Sequence, residues 1–467
     1  MNQSLTSSAG ASIWASRIAS VTDLGDERLE ARFAQILQTL SEKPLDSFPQ
    51  ACESSGEAKA LYRFLKNKRT RHERLLAPIV DVTAEQCRGQ KVVLAVQDTT
   101  SVNFSNLEFA VGLGPLNDKK SVQGLLVHST LALSLDGTPL GLLDQQSWAR
   151  PKGKKTRDKR RKRALKDKES SKWLAGAVAA RGALGAIEET SRPRLFHVMD
   201  REGDIHLVMQ SISATPDGAV IRCAQNRRIA GEINKAHEAV RVAPLLGRAT
   251  IDVPRRSNEK ARKANLEIRA LRATITPSKS HGRDRAPITW TLVELYEIDP
   301  PAGIERLHWR LWTTESVATL DQAMEIARKY TLRWRIEDFH LTLKSGCRIE
   351  ALTLRNAERL QKAITLYSAV AVRIVALREV SRKRPDAPCT EMLSDDEWRA
   401  LWCKIHKKPA PLHQPPPTMQ QAVLWIGRLG GHLNRKGDGM PGVRTLWRGM
   451  RDLAILVAGY RCGLASR

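Results

Sequence analysis

The stretch Tyr330–Lys344, YTLRWRIEDFHLTLK, sets a carboxylate among cations at regular intervals. Wound as one helix, it places Tyr330, Arg333, Glu337 and Lys344 within an arc of roughly 60°. Leu332, Ile336, Phe339 and Leu343 fall opposite, so that side is core. A polar stripe of this kind is ordinarily a solvated, salt-bridged surface. Two further acids change the reading. Asp98 arrives as the apolar run of KVVLAVQDTT (91–100) gives out, and Asp200 closes the run RLFHVMD. Taken singly, an aspartate at a strand end is more often a turn residue or helix cap. Three carboxylates brought together form a hard oxygen-donor set suited to Mg2+ or Mn2+. They would otherwise repel and push at least one pKa upward, so convergence demands a cation. Two such ions can activate water on one side of a phosphorus and steady the leaving oxygen on the other.

The elements between these acids decide whether they can meet. Residues 1 to about 75 read as helical: LGDERLEARFAQILQTL has Asp26 as N-cap, and GEAKALYRFLKN forms a second amphipathic run. Arg28, Arg32, Arg63 and Lys66 punctuate this region. The strand carrying Asp98 is followed by GLLVHSTLALSLDGTPLGLL (124–143), two strands joined around Asp136-Gly137. KWLAGAVAARGALGAIEE reads as a helix, RLFHVMD as a strand, and GAVIRCAQ as another strand after an intervening helix. About 227–313 alternates as strands and is too long for a mere connection. From about 355 the pattern is helical again, and KKPAPLHQPPPT (407–418) reads as an extended link that separates off a final helical piece. The order predicts a mixed sheet with Asp98 on a central strand.

Charge narrows the partner. The 467 residues hold 76 Lys+Arg against 50 Asp+Glu, a net charge of +26. Such an excess opposes compaction unless a polyanion neutralises it, and nucleic acid is the usual one. A membrane surface is the runner-up, but no long basic amphipathic helix supports it and no apolar run reaches transmembrane length. Aromatics are few at 5%, yet 11 are Trp, which can stack on bases. The seven cysteines are scattered without a CxxC pair, which argues against a disulfide framework or zinc ribbon and for a reducing cytoplasm. The N-terminus lacks the charged start and apolar core of a secretory signal. GLGPLNDKKS (112–121) lacks the third glycine of a dinucleotide loop and the GK[ST] of a phosphate loop. Cys403, His406 and His413 lack metal-site spacing. A carboxylate pair for sugar hydrolysis fits poorly with a cationic site wall.

Tyr330, Arg333, Glu337 and Lys344 match a Tyr–x2–Arg–x3–Glu–x6–Lys signature at every spacing, and DREGDIH (200–206) matches its second-acid block. With LGDERLEAR, LYRFLKN, DTTS, LVHS, WTTESV, RWRIEDFH and RLGGHLNR, the chain resembles the DDE transposases of bacterial insertion sequences, the IS-four family of the Tn-five type, essentially end to end. The resemblance implies an α/β fold: an RNase H-like mixed-sheet catalytic core over 76–372, with the β-rich insertion at about 227–313. It also implies helical flanks, a DNA-binding domain at 1–75 and a dimerisation domain at 373–467. Asp98, Asp200 and Glu337 would be the catalytic, metal-binding triad. Tyr330, Arg333 and Lys344 would hold a DNA phosphate, and Trp309 would stack on a flipped base, recovering part of the cost of extrusion. Arg32 and Arg63 would contact transposon-end DNA, and Arg222 a DNA backbone. The implied cofactor is Mg2+, with Mn2+ substituting, at two ions per site. The implied partners are double-stranded DNA, both transposon ends and target, and a second copy of the chain in a homodimer, with no membrane, in a bacterial cytoplasm. The implied activity is cut-and-paste transposition through a hairpin intermediate. A non-catalytic, end-binding derivative and a different RNase H-like nuclease, such as a junction resolvase, are the rival readings. The intact signature speaks against the first, and the β insertion with Trp309 against the second.

KGKKTRDKRRKRALKDK (152–168) departs from the resemblance by being strongly basic. It would sit near the substrate and add nonspecific phosphate contacts. Deleting 152–168 is expected to flatten the fall of log affinity with log salt. An unchanged slope refutes that role.

Overall fold

The computed structural model describes residues 13–43, 46–52, 54–117, 121–151, 168–253, 261–277, 285–411, 413–435 and 437–465. All of the basic tract except Lys168 therefore lies outside the described residues. Ile13–Ser20 (α1), Glu27–Glu42 (α2), Phe48–Ala51 (α3), Ser55–Lys66 (α4) and His72–Cys87 (α5) open the chain. Asp26 caps α2 as expected, accepting from the Arg28 N–H at 3.0 Å. The apolar stripes of α2 and α4 meet through Phe33 and Phe64, whose rings stack with centroids 6.2 Å apart. Residue 75 lies inside α5, so the expected first domain boundary falls within one helix.

The sheet follows. Its strands are Val92–Asn103 (β1), Gly114–Pro115 (β2), Gln123–Leu133 (β3), Pro139–Trp148 (β4), Arg194–Met199 (β5), Gly218–Arg222 (β6), Leu245–Val253 (β7), Arg262–Ile275 (β8), Ile288–Ile298 (β9) and His308–Thr313 (β10). Ser171–Gly185 (α6), His206–Ser213 (α7) and Ala236–Val242 (α8) lie between them in sequence. The spatial order is β2-β3-β1-β5-β6-β10-β9-β8-β7, with β4 on β3. β5 runs parallel to both β1 and β6, and the other pairings are antiparallel. The β3–β4 hairpin turns as expected: Asp136 accepts from Thr138 N–H and Gly137 takes φ +87°, a conformation glycine adopts freely. The β-rich segment at 227–313 does more than insert. β10 pairs with β6 and covers what would be an open edge, so four further strands continue the core sheet.

Two-residue alternation divides the sheet's faces. Val93, Ala95 and Leu195 pack with α5 and α6, and Met199, Ala219, Ile221 and Trp312 pack with α6, α7 and α8. Leu94, Val96, Phe196, Val198, Val220 and Leu311 face the other way. That second face is covered by Leu320–Thr331 (α9), Trp334–Leu341 (α10), the π-helical segment Thr342–Gly346 and Ala357–Lys383 (α11). The single helix expected over 330–344 is therefore three pieces. Arg333, Arg335 and Ile336 donate to carbonyls three residues back at the first junction, and the wider π winding starts at Thr342. Neither break has a proline, and both are windings that hydrophobic periodicity does not reveal.

α11 is long and apolar enough to cross a membrane by length and composition, contrary to the reading of the sequence, but 94% of its apolar window is buried inside the protein. It is the central core helix. Residues 372 and 373 both lie within it, so the expected C-terminal boundary has no break in the chain. Asp395–His406 (α12), Met419–Leu429 (α13) and Val443–Ala465 (α14) pack around Trp398, Met419, Ile426 and Leu446. The proline-rich link thus joins helices of one cluster rather than separating off a final piece. It is stitched back by Cys389 N–H donating to Pro417 O at 2.9 Å.

α11 also seats the N-terminal helices. Lys362 is 1% exposed, donates to the carbonyls of Leu65 (3.1 Å) and Asn67 (2.9 Å) at the end of α4, and pairs with Glu358 (2.8 Å). A cation at that end answers the unpaired carbonyls of a helix C-terminus. Lys362→Met keeps the aliphatic stem and removes the donors. It is expected to lower stability by about 2 kcal/mol, measured by denaturant unfolding; an unchanged midpoint would refute this capping role.

Candidate active site

The register of the sheet aligns the acids. β1 and β5 pair with Val96 beside Val198, so two residues further on Asp98 and Asp200 reach the same level on the same face. β5 and β6 pair with Val198 beside Val220, which brings Arg222 to that level as well. β10 pairs Leu311 with Arg222, and Trp309 lies two residues along on the same face. Asp98, Asp200 and Arg222 therefore form a row across three parallel strands, continued by Trp309 two residues beyond; β5 and β6 end there, while β1 runs on to Asn103. The ends of parallel strands are where α/β sheets present their chemistry.

The junction after α9 supplies the opposite wall. Arg333 lies between two of the acids, with Nη2 donating to Glu337 Oε1 at 2.6 Å and Nη1 to Asp98 Oδ2 at 3.4 Å. Asp98 Oδ1 accepts from Thr99 N–H at 2.8 Å, and Asp200 Oδ1 accepts from Glu202 N–H at 2.8 Å, capping a short turn over Arg201–Gly203. Tyr330 stands edge-on to Trp309, centroids 5.5 Å apart, and the Arg222 guanidinium lies 5.7 Å from the Trp309 ring centre.

Burial pushes the Asp98 carboxyl up to about 6, and the charges of Asp200 and Glu337 add to it against the opposing pull of Thr99 N–H and Arg333. Burial likewise raises Asp200, with Glu202 contributing. Burial lowers Arg222 to about 10 and raises Tyr330. Arg333 is held above the usual range because Tyr330, Glu337 and Asp98 outweigh its burial. Nη1 of Arg222 and Nε of Arg333 are buried without a hydrogen-bond partner among the described residues. The donor chemistry, three carboxylates of which two are desolvated, fits a hard divalent ion. As the side chains stand, no three ligand-type residues among those described are grouped closely enough to hold one. Arg333 separates Asp98 from Glu337.

The remaining expected residues fall into two places. Lys344 lies on the π segment, 3.5 Å from Glu350, which in turn accepts from Asn103 N–H near the far end of β1. Arg32 on α2 donates to Gln35 at 2.6 Å, and Arg63 is exposed on α4, so both lie on the N-terminal helices rather than in the row. Arg222 is 9% exposed and donates to His308 O at 2.5 Å. Its guanidinium underpins Trp309. Sequence reading missed Lys172, which is 6% exposed, pairs with Glu202 at 2.9 Å and lies between the rings of Trp148 and Trp173, at 5.9 and 5.8 Å. Standing just after the basic tract, it carried no signal of its own.

Three family models match successive parts of the chain: a transposase DNA-binding domain over 11–70, a transposase DDE domain over 149–373, and the Tn5 transposase dimerisation domain over 369–466. The chain belongs to the DDE transposases, metal-dependent nucleases and strand transferases of DNA. Within them it is of the Tn5 type, as the match to the Tn5 dimerisation domain beside the other two shows. Asp200 and Glu337 lie inside the DDE match and Asp98 precedes it, so Asp98 rests on the register alone. The fold also resembles a piggyBac transposase synaptic complex with hairpin DNA solved by cryo-electron microscopy. Identity is 9%, coverage 97% of this chain and 78% of that one, and TM-score 0.38. A likeness that loose decides nothing about the chemistry.

An acid with a higher pKa folded than unfolded favours the fold below its unfolded value near 3.8, and that contribution is lost as pH rises through about 6. Asp98→Asn is therefore expected to stabilise the metal-free protein at pH 8 by at most about 3 kcal/mol. It should change little at pH 4. Melting temperatures at the two pH values check this; equal effects at both would contradict the shift.

Proposed function

We propose that this DNA transposase works by cut and paste, and that Asp98, Asp200 and Glu337 are its catalytic acids, holding two Mg2+ ions for which Mn2+ can substitute. The observation that carries the reading is the alignment of Asp98 with Asp200, tied to Glu337 through Arg333. Glu337, with 41% of its side chain exposed, can turn from Arg333 toward the two aspartates. When bound, the ions would supply an activated water and neutralise the leaving oxygen of an in-line displacement.

The protein's own groups do the rest. Arg333, released from the acids, and the Tyr330 hydroxyl hold the phosphate at the cleavage point, while Lys344 holds the backbone further along. The unpartnered N–H groups of Arg222 and Arg333 give that anion buried donors. Trp309, braced by Tyr330 and Arg222, offers a ring on which an extruded base stacks. Arg32 and Arg63 on the N-terminal helices contact the transposon end. Two copies pair through the C-terminal helices, each recognising one end and cutting the other. A first nick leaves a 3′-OH that attacks the opposite strand to form a hairpin; hydrolysis reopens it, and the 3′-OH joins target DNA. The assignment of 1–75, 76–372 and 373–467 to end binding, catalysis and dimerisation belongs to the same proposal.

Asp98→Ala is expected to bind end DNA as the parent does and to lose nicking in Mg2+ altogether. Gel shift and denaturing-gel cleavage of end duplexes read the two properties separately. Parental nicking by that variant sinks the triad.

A further inference from the structure

Behind α10, on the side away from Asp98, five charged side chains meet where α10 crosses α11. Glu379 is 0% exposed. Its Oε1 accepts from Arg378 Nε at 2.7 Å and from Arg382 Nη1 at 3.4 Å, and its Oε2 lies 2.9 Å from Arg335 Nη2. Arg378, 7% exposed, also donates through Nη2 to Asp338, which lies 3.5 Å from Arg335 Nη1. Three cations and two anions thus join α11 to Arg335 and Asp338, which flank Glu337 in α10.

Such a cluster is a poor way to gain stability. Removing these charges from water costs about what their attraction returns, and well-packed apolar side chains often do as well. What it supplies is one orientation. α10 has only eight residues, a tightened junction on one side and the π segment on the other. Ile336 and Phe339, both 0% exposed, fix its depth in the core. Apolar contacts tolerate rotation about the helix axis; an arginine donating to two acids does not. The rotation fixed in this way aims Glu337.

We infer that Glu379, acting with Arg378 and Arg335, is a positioning residue for Glu337, holding α10 in the rotation that presents the third acid to the metal ions. This rests on the triad proposed above. Groups that orient metal ligands typically change metal affinity or activity by 10–100-fold when altered.

The test uses full-length protein with Glu379→Gln, which keeps shape and loses charge. Mn2+ binding, followed by the electron paramagnetic resonance of the free ion, is compared with the Mn2+ dependence of end nicking, the melting temperature and end binding. The expected result is a half-saturating Mn2+ concentration raised about tenfold in both metal assays, with end binding close to the parent and a lowered melting temperature, because the arginines around residue 379 lose their buried counter-ion. Should that variant fail to fold, Arg335→Met with Glu379→Leu replaces the pair by apolar packing, and the same metal shift is expected. A folded variant of either kind with parental Mn2+ affinity overturns the inference. A parent protein that binds no Mn2+ overturns the triad, and this inference with it.

Discussion

The structure turns on placing two carboxylates at the same level of adjacent parallel strands, half out of water. Asp98 and Asp200 gain no stability from that position: burial raises both, and the charge of Asp200 adds to the rise at Asp98. Folding tolerates them because Arg333 is close and because the backbone N–H groups of Thr99 and Glu202 each satisfy one oxygen. Like-charged acids held this way are costly as architecture and useful as a metal site.

The rest of the chain serves that row. α11 supports it from behind, seating the N-terminal helices through Lys362 at one end and the C-terminal cluster through Leu377 and Val380 at the other. β10 extends the row to Trp309, and Tyr330 closes the corner between sheet and helices. One buried helix thereby connects the parts matched as DNA-binding, DDE and dimerisation domains.

The sequence was most legible where structure is local. Apolar runs located β1 and β5, Asp136-Gly137 located the hairpin, and Asp26 located the start of α2. The acids were visible because each interrupts such a run, and Glu337 because its neighbours keep a helical interval. What was hidden depends on distant partners. Strand alternation in 227–313 does not say that β10 will pair with β6, and Arg222 reads as a surface arginine until Trp309 and His308 enclose it. The breaks around α10 were hidden for another reason: i→i+3 and i→i+5 windings shift a periodic pattern too little to be noticed over a few residues. The cluster around Glu379 carried no signal in the sequence, since burial is not written in a charged residue's identity.

The central claim is that residues 98, 200 and 337 share one divalent-ion site. Fe2+ loaded in place of Mg2+, with ascorbate and peroxide, cuts a polypeptide wherever the backbone lies beside the bound ion. The account predicts cuts clustered near all three residues and suppressed together by excess Mg2+. Cuts near one of them alone, or at a different cluster, would contradict it.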